Sequence, residues 1–151
     1  MVGYSAGIIP FSVNMEQEIV FLLGYENNKW SGFVGHSEKN ENIVNTAIRE
    51  FNEETAMIFS GLSNYIRSKI NNKLCYFYKD HSYKTNDPVY LWFVEIPINP
   101  NINSQFIKNQ EVLNKPEFKE KEKLQWFLKS QIDGNPIIFG KLRKAITSLF
   151  H

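Results

Sequence analysis

The chain has 151 residues, with 17 Lys and Arg against 16 Asp and Glu, 42% hydrophobic and 15% aromatic residues, and one cysteine, Cys75. That length is typical of a single domain, expected here over residues 1–151. Such a domain can bury about 68–70% of the surface its unfolded chain exposes. The numbers exclude a disordered chain, an intrachain disulfide and a Cys-rich zinc site, and the balanced charge argues against a protein that grips long nucleic acid through bulk positive charge.

The first expected element is an extended segment, Gly3–Ser12, rich in Tyr, Ile and Phe. No Lys or Arg precedes Lys29, so this end lacks the basic region of a secretory signal. No apolar run approaches the ~20 residues of a membrane span. A reducing, cytoplasmic compartment is the expectation. Glu18–Tyr25 reads as a strand of continuous apolar residues, followed by turn chemistry at Glu26-Asn27-Asn28. Trp30–Gly35 is a short strand broken by glycines. Asn42–Ala56 is the best helix, with Ile43, Val44, Ala47, Ile48 and Phe51 on one face. Gly61–Ile70 is a shorter one. Lys73–Lys79 and Val89–Pro97 read as strands joined by the polar loop His81–Asp87, and Asn99–Lys123 as a long polar stretch. Leu124–Leu128 is a short strand. A last helix is expected from Asn135-Pro136, with proline in its first turn, carrying Ile138, Leu142, Ala145, Ile146 and Leu149 on one side. Strands that precede, separate and follow helices imply an α/β fold, a mixed sheet covered by helices.

The chemistry concentrates between Gly35 and Met57. Glu50, Glu53 and Glu54 stand at i, i+3 and i+4 on the best helix and share one face. With Ile43 at 0°, the apolar stripe covers roughly 0° to 140° and Glu50 and Glu54 fall near −20° and +20°. Two carboxylates therefore overlap the edge of the buried stripe. Three like charges there repel one another, and Arg49 alone does not neutralise them. A buried carboxylate costs several kcal/mol unless it is paired or binds a metal, and oxygen ligands suit a hard divalent cation such as magnesium. Spacing alone is equally the mark of a solvated acidic face.

The wider pattern decides between these. Gly35, Glu41, Arg49, Glu50, Phe51, Glu53, Glu54 and Met57 stand at the spacing of the Nudix box, and the stretch resembles the Nudix hydrolase family (MutT-like diphosphohydrolases). A chance match at its six Gly, Glu and Arg positions is on the order of 10⁻⁷ per starting position. The resemblance implies the Nudix fold, a mixed sheet sandwiched between helices. It also implies hydrolysis of the diphosphate linkage of a nucleoside diphosphate derivative with two or three magnesium, or manganese, ions. By position, Glu50, Glu53 and Glu54 are implied as metal ligands with the Gly35 carbonyl. Arg49 is implied to hold a carboxylate in place, and Glu41 to orient the loop or reach a metal through water. The general base is implied to be Glu53 or a glutamate before the late Trp-containing strand, Glu120 first and Glu122 second. Tyr25, Trp30, Phe33 and Trp126 are candidates for stacking on a base, and His36, Lys73 and Lys84 for reaching phosphates.

The chain departs from the family pattern at several positions. Ala56 stands where the family has Gly to leave the helix, Phe33-Val34-Gly35 where Pro-Gly-Gly is often found, Asn40 where a loop Gly is common, and His36 where many members have Lys. With the glutamates intact, an active enzyme is expected, acting on a free nucleotide such as a nucleoside triphosphate. Removal of the 5′ cap from mRNA is the alternative, and a nucleotide-binding regulator without catalysis is a third reading. A homodimer is compatible with the family.

Overall fold

A computed structural model describes residues 3–150. Met1, Val2 and His151 lie outside that range, and with them the first two residues read for a secretory signal. Among the described residues, no helix is long and apolar enough to cross a membrane.

β1 (Ser5–Val13) is the hub of a seven-stranded mixed sheet. It runs parallel to β6 (Pro88–Glu95) from Ser5↔Val89 to Phe11↔Glu95. Its other edge is shared by two antiparallel partners. β4 (Phe33–His36) pairs with Ser5–Ile8, and β2 (Ile19–Glu26) pairs with Phe11–Val13. Pro10, with no N–H to donate, lies in the gap between them. β2 continues onto β7 (Lys123–Leu128) and the short β3 (Lys29–Ser31), and β5 (Tyr76–His81) closes the far side against β6.

Successive side chains on a strand point to opposite faces, and both faces are buried here. Ala6, Ile8, Leu22, Trp92 and Val94 face α1 (Ile43–Glu54), α2 (Ser63–Asn71) and α3 (Ile102–Leu113). Ile9, Phe21, Leu23, Leu91 and Phe93 face α4 (Lys129–Ile132) and α5 (Gly140–Leu149). The result is the expected sheet between helices.

Four local expectations are corrected. The strand expected over Trp30–Gly35 is two strands, β3 and β4, parted at Gly32. The strand expected from Lys73 begins at Tyr76, because Lys73 (φ 57) sits in the turn that ends α2. The stretch Asn99–Lys123 contains α3, which its polarity concealed. Only Ile102 and Phe106 are buried there, and Asn114 ends the helix in a left-handed conformation (φ 46). The last helix begins at Gly140 rather than at Pro136. Before it, the Ile137 carbonyl accepts from the Trp30 N–H at 2.7 Å and the Phe139 N–H donates to the Trp30 carbonyl at 2.9 Å. Those bonds hold the chain extended against β3.

Candidate active site

Asn42 caps α1, accepting from the Asn45 N–H at 2.8 Å, and Ala47, Ile48 and Phe51 anchor the helix to the sheet. This fixes its acidic face against the end of β4. Glu50 and Glu54 are 9% and 4% exposed, and Glu53 is half-buried. The helical wheel places the first two at the edge of the apolar stripe, and that is where they lie. A Cβ at Gly35 would come within 2.1 Å of the Glu50 carboxylate. Glycine is required there because the carboxylate occupies the space.

Arg49 organises the cluster. Its Nη1 donates to Glu50 at 2.8 Å and to Glu53 Oε2 at 3.3 Å, its Nε to Glu41 at 2.7 Å, and its Nη2 to the His36 carbonyl at 2.8 Å. Glu41 also accepts from the Thr46 hydroxyl (2.7 Å) and the Glu38 N–H (3.0 Å). The hydrogen bonds from Arg49 above all hold the Glu41 carboxyl at about 2, against an ordinary 4.5. Glu41 is thus saturated by this protein's own donors. It orients the loop and Arg49. Asn40 takes the left-handed conformation its type favours (φ 65).

Glu54 lies deepest. Burial pushes its carboxyl well above the ordinary carboxylate range, opposed by the nearby Lys121 ammonium. Its Oε1 has no hydrogen-bond partner and lies 3.7 Å from Lys121 Nζ. Burial likewise raises Glu50, opposed by Arg49. Glu120 reaches the same neighbourhood from the loop before β7. Partial burial, with the charges of Glu26 and Glu53, holds its carboxyl above the ordinary value. Glu122 is exposed, and its N–H is used on the Tyr25 carbonyl at 2.8 Å.

A cavity of about 630 Å³ lies on the sheet face that carries α5, a size suited to a small ligand; none of the α1 carboxylates lines it, and Lys121, 3.7 Å from Glu54, is its link to them. Ile9, Val34 and Leu91 give it an apolar floor; Glu26, Ser31 and Lys121 line it, as do Tyr83, Lys84 and Lys141. His36 lines it as well, with Nδ1 3.2 Å from the Ser5 hydroxyl. Trp30 does not contribute. It is 6% exposed, packed 5.1 Å from Tyr25 and 4.9 Å from Phe127 (ring centroids), and is core rather than a stacking platform. Phe33 is likewise core, and Trp126 is half-buried with its Nε1 donating to the Asn99 carbonyl. Lys141 is not a free cation, since it pairs with Asp80 at 3.1 Å and lies 4.1 Å from the Tyr83 ring centroid.

Sequence reasoning missed Lys121, Glu26 and Ser31. Lys121 lies some 90 residues after the other two, which end β2 and β3, and only the register of β2 with β3 and β7 brings it to them.

The residues fit a hard divalent cation. The donors are all oxygen, one buried carboxylate oxygen is unpartnered, and Gly35 leaves room for Glu50. Among the described residues, no three carboxylate, imidazole or thiol groups already stand together as a ligand set; Glu50 and Glu53 are turned toward Arg49.

The sequence matches no protein-family model and no curated protein. Solved structures do resemble it. A C. elegans Ap4A hydrolase, solved as a binary complex, is 16% identical over 97% of this chain and 93% of its own, with a TM-score of 0.58. The E. coli dihydroneopterin triphosphate pyrophosphohydrolase is 12% identical over 96% of this chain and 92% of its own, with a TM-score of 0.57. A MutT/nudix family protein from Enterococcus faecalis is 14% identical over 85% of this chain, at a TM-score of 0.55, and this chain spans 44% of its length. The chain has the Nudix fold.

Proposed function

We propose that this protein is a Nudix hydrolase that cleaves the diphosphate linkage of a free nucleotide, such as a nucleoside triphosphate, with magnesium or manganese bound by Glu50, Glu53 and Glu54 and by the Gly35 carbonyl. The observation that carries the reading is the buried carboxylate face of α1, organised by Arg49, in this fold; a cavity of small-ligand size lies across Lys121 from it. The proteins of similar fold named above act on a dinucleoside polyphosphate and on a pterin triphosphate, by their names, so phosphoanhydride chemistry is the common thread.

When bound there, the cations would supply charge neutralisation of the diphosphate and a lowered pKa for an attacking water. The chain supplies the rest. Arg49 holds Glu50 and Glu53 in one orientation, and Glu41 in turn holds Arg49. Glu120, with its carboxyl above the ordinary value, is the first choice for accepting the proton from water, and Glu53 the second. The apolar floor of the cavity holds the nucleoside, and Lys84 and His36 stand beside the space for its phosphates.

Cap removal from RNA is less well supported, because the chain's charge is balanced and Lys141, a cation at the cavity, is paired with Asp80. The test is incubation with magnesium and a panel of nucleoside triphosphates, nucleotide sugars, dinucleoside polyphosphates and capped RNA, with product identification. Hydrolysis of a small nucleotide supports the proposal. Turnover of capped RNA alone replaces the substrate class, and binding without turnover of anything supports a regulator instead.

A further inference from the structure

Lys121 is 2% exposed, the depth at which a lysine is almost never found unless paired. Its stem runs past Gly24, where a Cβ would come within 2.8 Å of Lys121 Cδ. Glycine on β2 therefore opens the path that the side chain follows. At its end, Nζ donates to the Ser31 hydroxyl at 2.7 Å, pairs with Glu26 at 2.9 Å and lies 3.7 Å from Glu54. One ammonium thus meets the end of β2, β3 and the carboxylate helix. The backbone around it is held too. The Lys121 carbonyl accepts from Gln110 Nε2 of α3 at 2.8 Å, and the Glu122 N–H donates to the Tyr25 carbonyl at 2.8 Å.

We infer that Lys121 is a positioning residue that ties the loop carrying Glu120 to the carboxylate face of α1 through the gap beside Gly24. The inference deepens the hydrolase reading and rests on it for its catalytic consequence. Glu120 immediately precedes Lys121, so anchoring Lys121 at its backbone and its ammonium fixes where the Glu120 carboxylate can reach. Removing one partner of a buried ion pair destabilises a fold whatever the pair does, because the other charge is left buried, so lost stability does not distinguish a tether. A tether that sets the place of a proton acceptor shows in turnover, because a misplacement of about 1 Å costs up to ~100-fold in rate.

The test compares Lys121→Met, which keeps the stem and removes the ammonium, with Gly24→Ala, which crowds the stem and keeps the charge. Lys123→Met is the control. Lys123 lies over the Tyr25 and Trp30 rings and makes no ion pair in the cluster. Two readouts are used: kcat and KM on the substrate found by the panel, and hydrogen exchange at the Glu122 amide. For both test variants, kcat is expected to fall between about tenfold and 100-fold with KM within about twofold, and Glu122 exchange to speed up. Lys123→Met leaves both unchanged. A folded Lys121→Met with wild-type kcat, or with wild-type exchange at Glu122, overturns the inference. If Lys121→Met does not fold, Gly24→Ala decides by the same readouts. If the wild-type protein hydrolyses nothing, the hydrolase reading fails, and exchange at Glu122 still shows whether Lys121 tethers the loop.

Discussion

The two faces of the sheet meet opposite requirements. On the α1 side, the glutamates and Arg49 are packed to within hydrogen-bond distance, and a single methyl at Gly35 has no room. On the α5 side, an open cavity is lined by residues from several separate segments, apolar at its floor and polar at its walls. The first face has little tolerance and suits chemistry. The second has latitude and suits recognition. Substitutions on the two faces should therefore fail in different ways, the first through turnover and the second through affinity.

Gly35→Ala tests the tight face most severely. The added Cβ must displace the Glu50 carboxylate, so kcat is expected to fall by about 100-fold or more and the melting temperature to drop through overpacking of about 1–3 kcal/mol. A variant with near-normal kcat would show that Glu50 need not stand where it does. Glu41→Gln tests the same face through pH. The Glu41 carboxyl is held at about 2 against an ordinary 4.5. Its contribution to stability is therefore present above about pH 4.5 and is lost as pH falls toward 2. Wild-type melting temperatures should fall across that window, and those of Glu41→Gln should start lower and fall less steeply.

On the open face, Tyr83→Ala removes an exposed cavity-lining ring. A few-fold rise in KM is expected with kcat unchanged, since one aromatic contact contributes about 1 kcal/mol. A fall in kcat alone would erase the division between the faces. The smallest effect lies just beyond the C-terminal end of α1. Ala56 adopts φ 51, a left-handed conformation that glycine takes without strain. Ala56→Gly should raise stability by up to about 1 kcal/mol, measured by denaturant unfolding, and leave the kinetics unchanged.

The same contrast explains what could be read from sequence. The carboxylate face lies within one helix and the loop before it, where spacing translates directly into geometry. Glu50, Glu53, Glu54 and Arg49 were therefore legible, as was the left-handed Asn40. The resemblance pointed to Glu120, which lies far away in the chain. Lys121 had no such signal, because its burial depends on a missing side chain at Gly24 across the sheet. Trp30 misled for a related reason: an aromatic beside a glycine-broken strand suits either a ligand or a core, and the extended segment before α5, which pairs with β3, makes it core. The strands β1, β2 and β6 were legible as apolar runs. α3 was not, because a helix with two buried residues has almost no stripe to detect.

If the α1 glutamates run metal-dependent diphosphate hydrolysis, turnover of wild-type and Glu53→Gln proteins must respond to metal and to that one carboxylate. Both are measured side by side on one nucleotide substrate, with saturating magnesium and with chelator. Wild-type turnover is expected to vanish with chelator. Glu53→Gln is expected to stay folded and to turn over about 10²–10⁴-fold more slowly at saturating magnesium. A folded Glu53→Gln protein working at near wild-type rate, or wild-type turnover indifferent to chelator, would contradict that role of the glutamates.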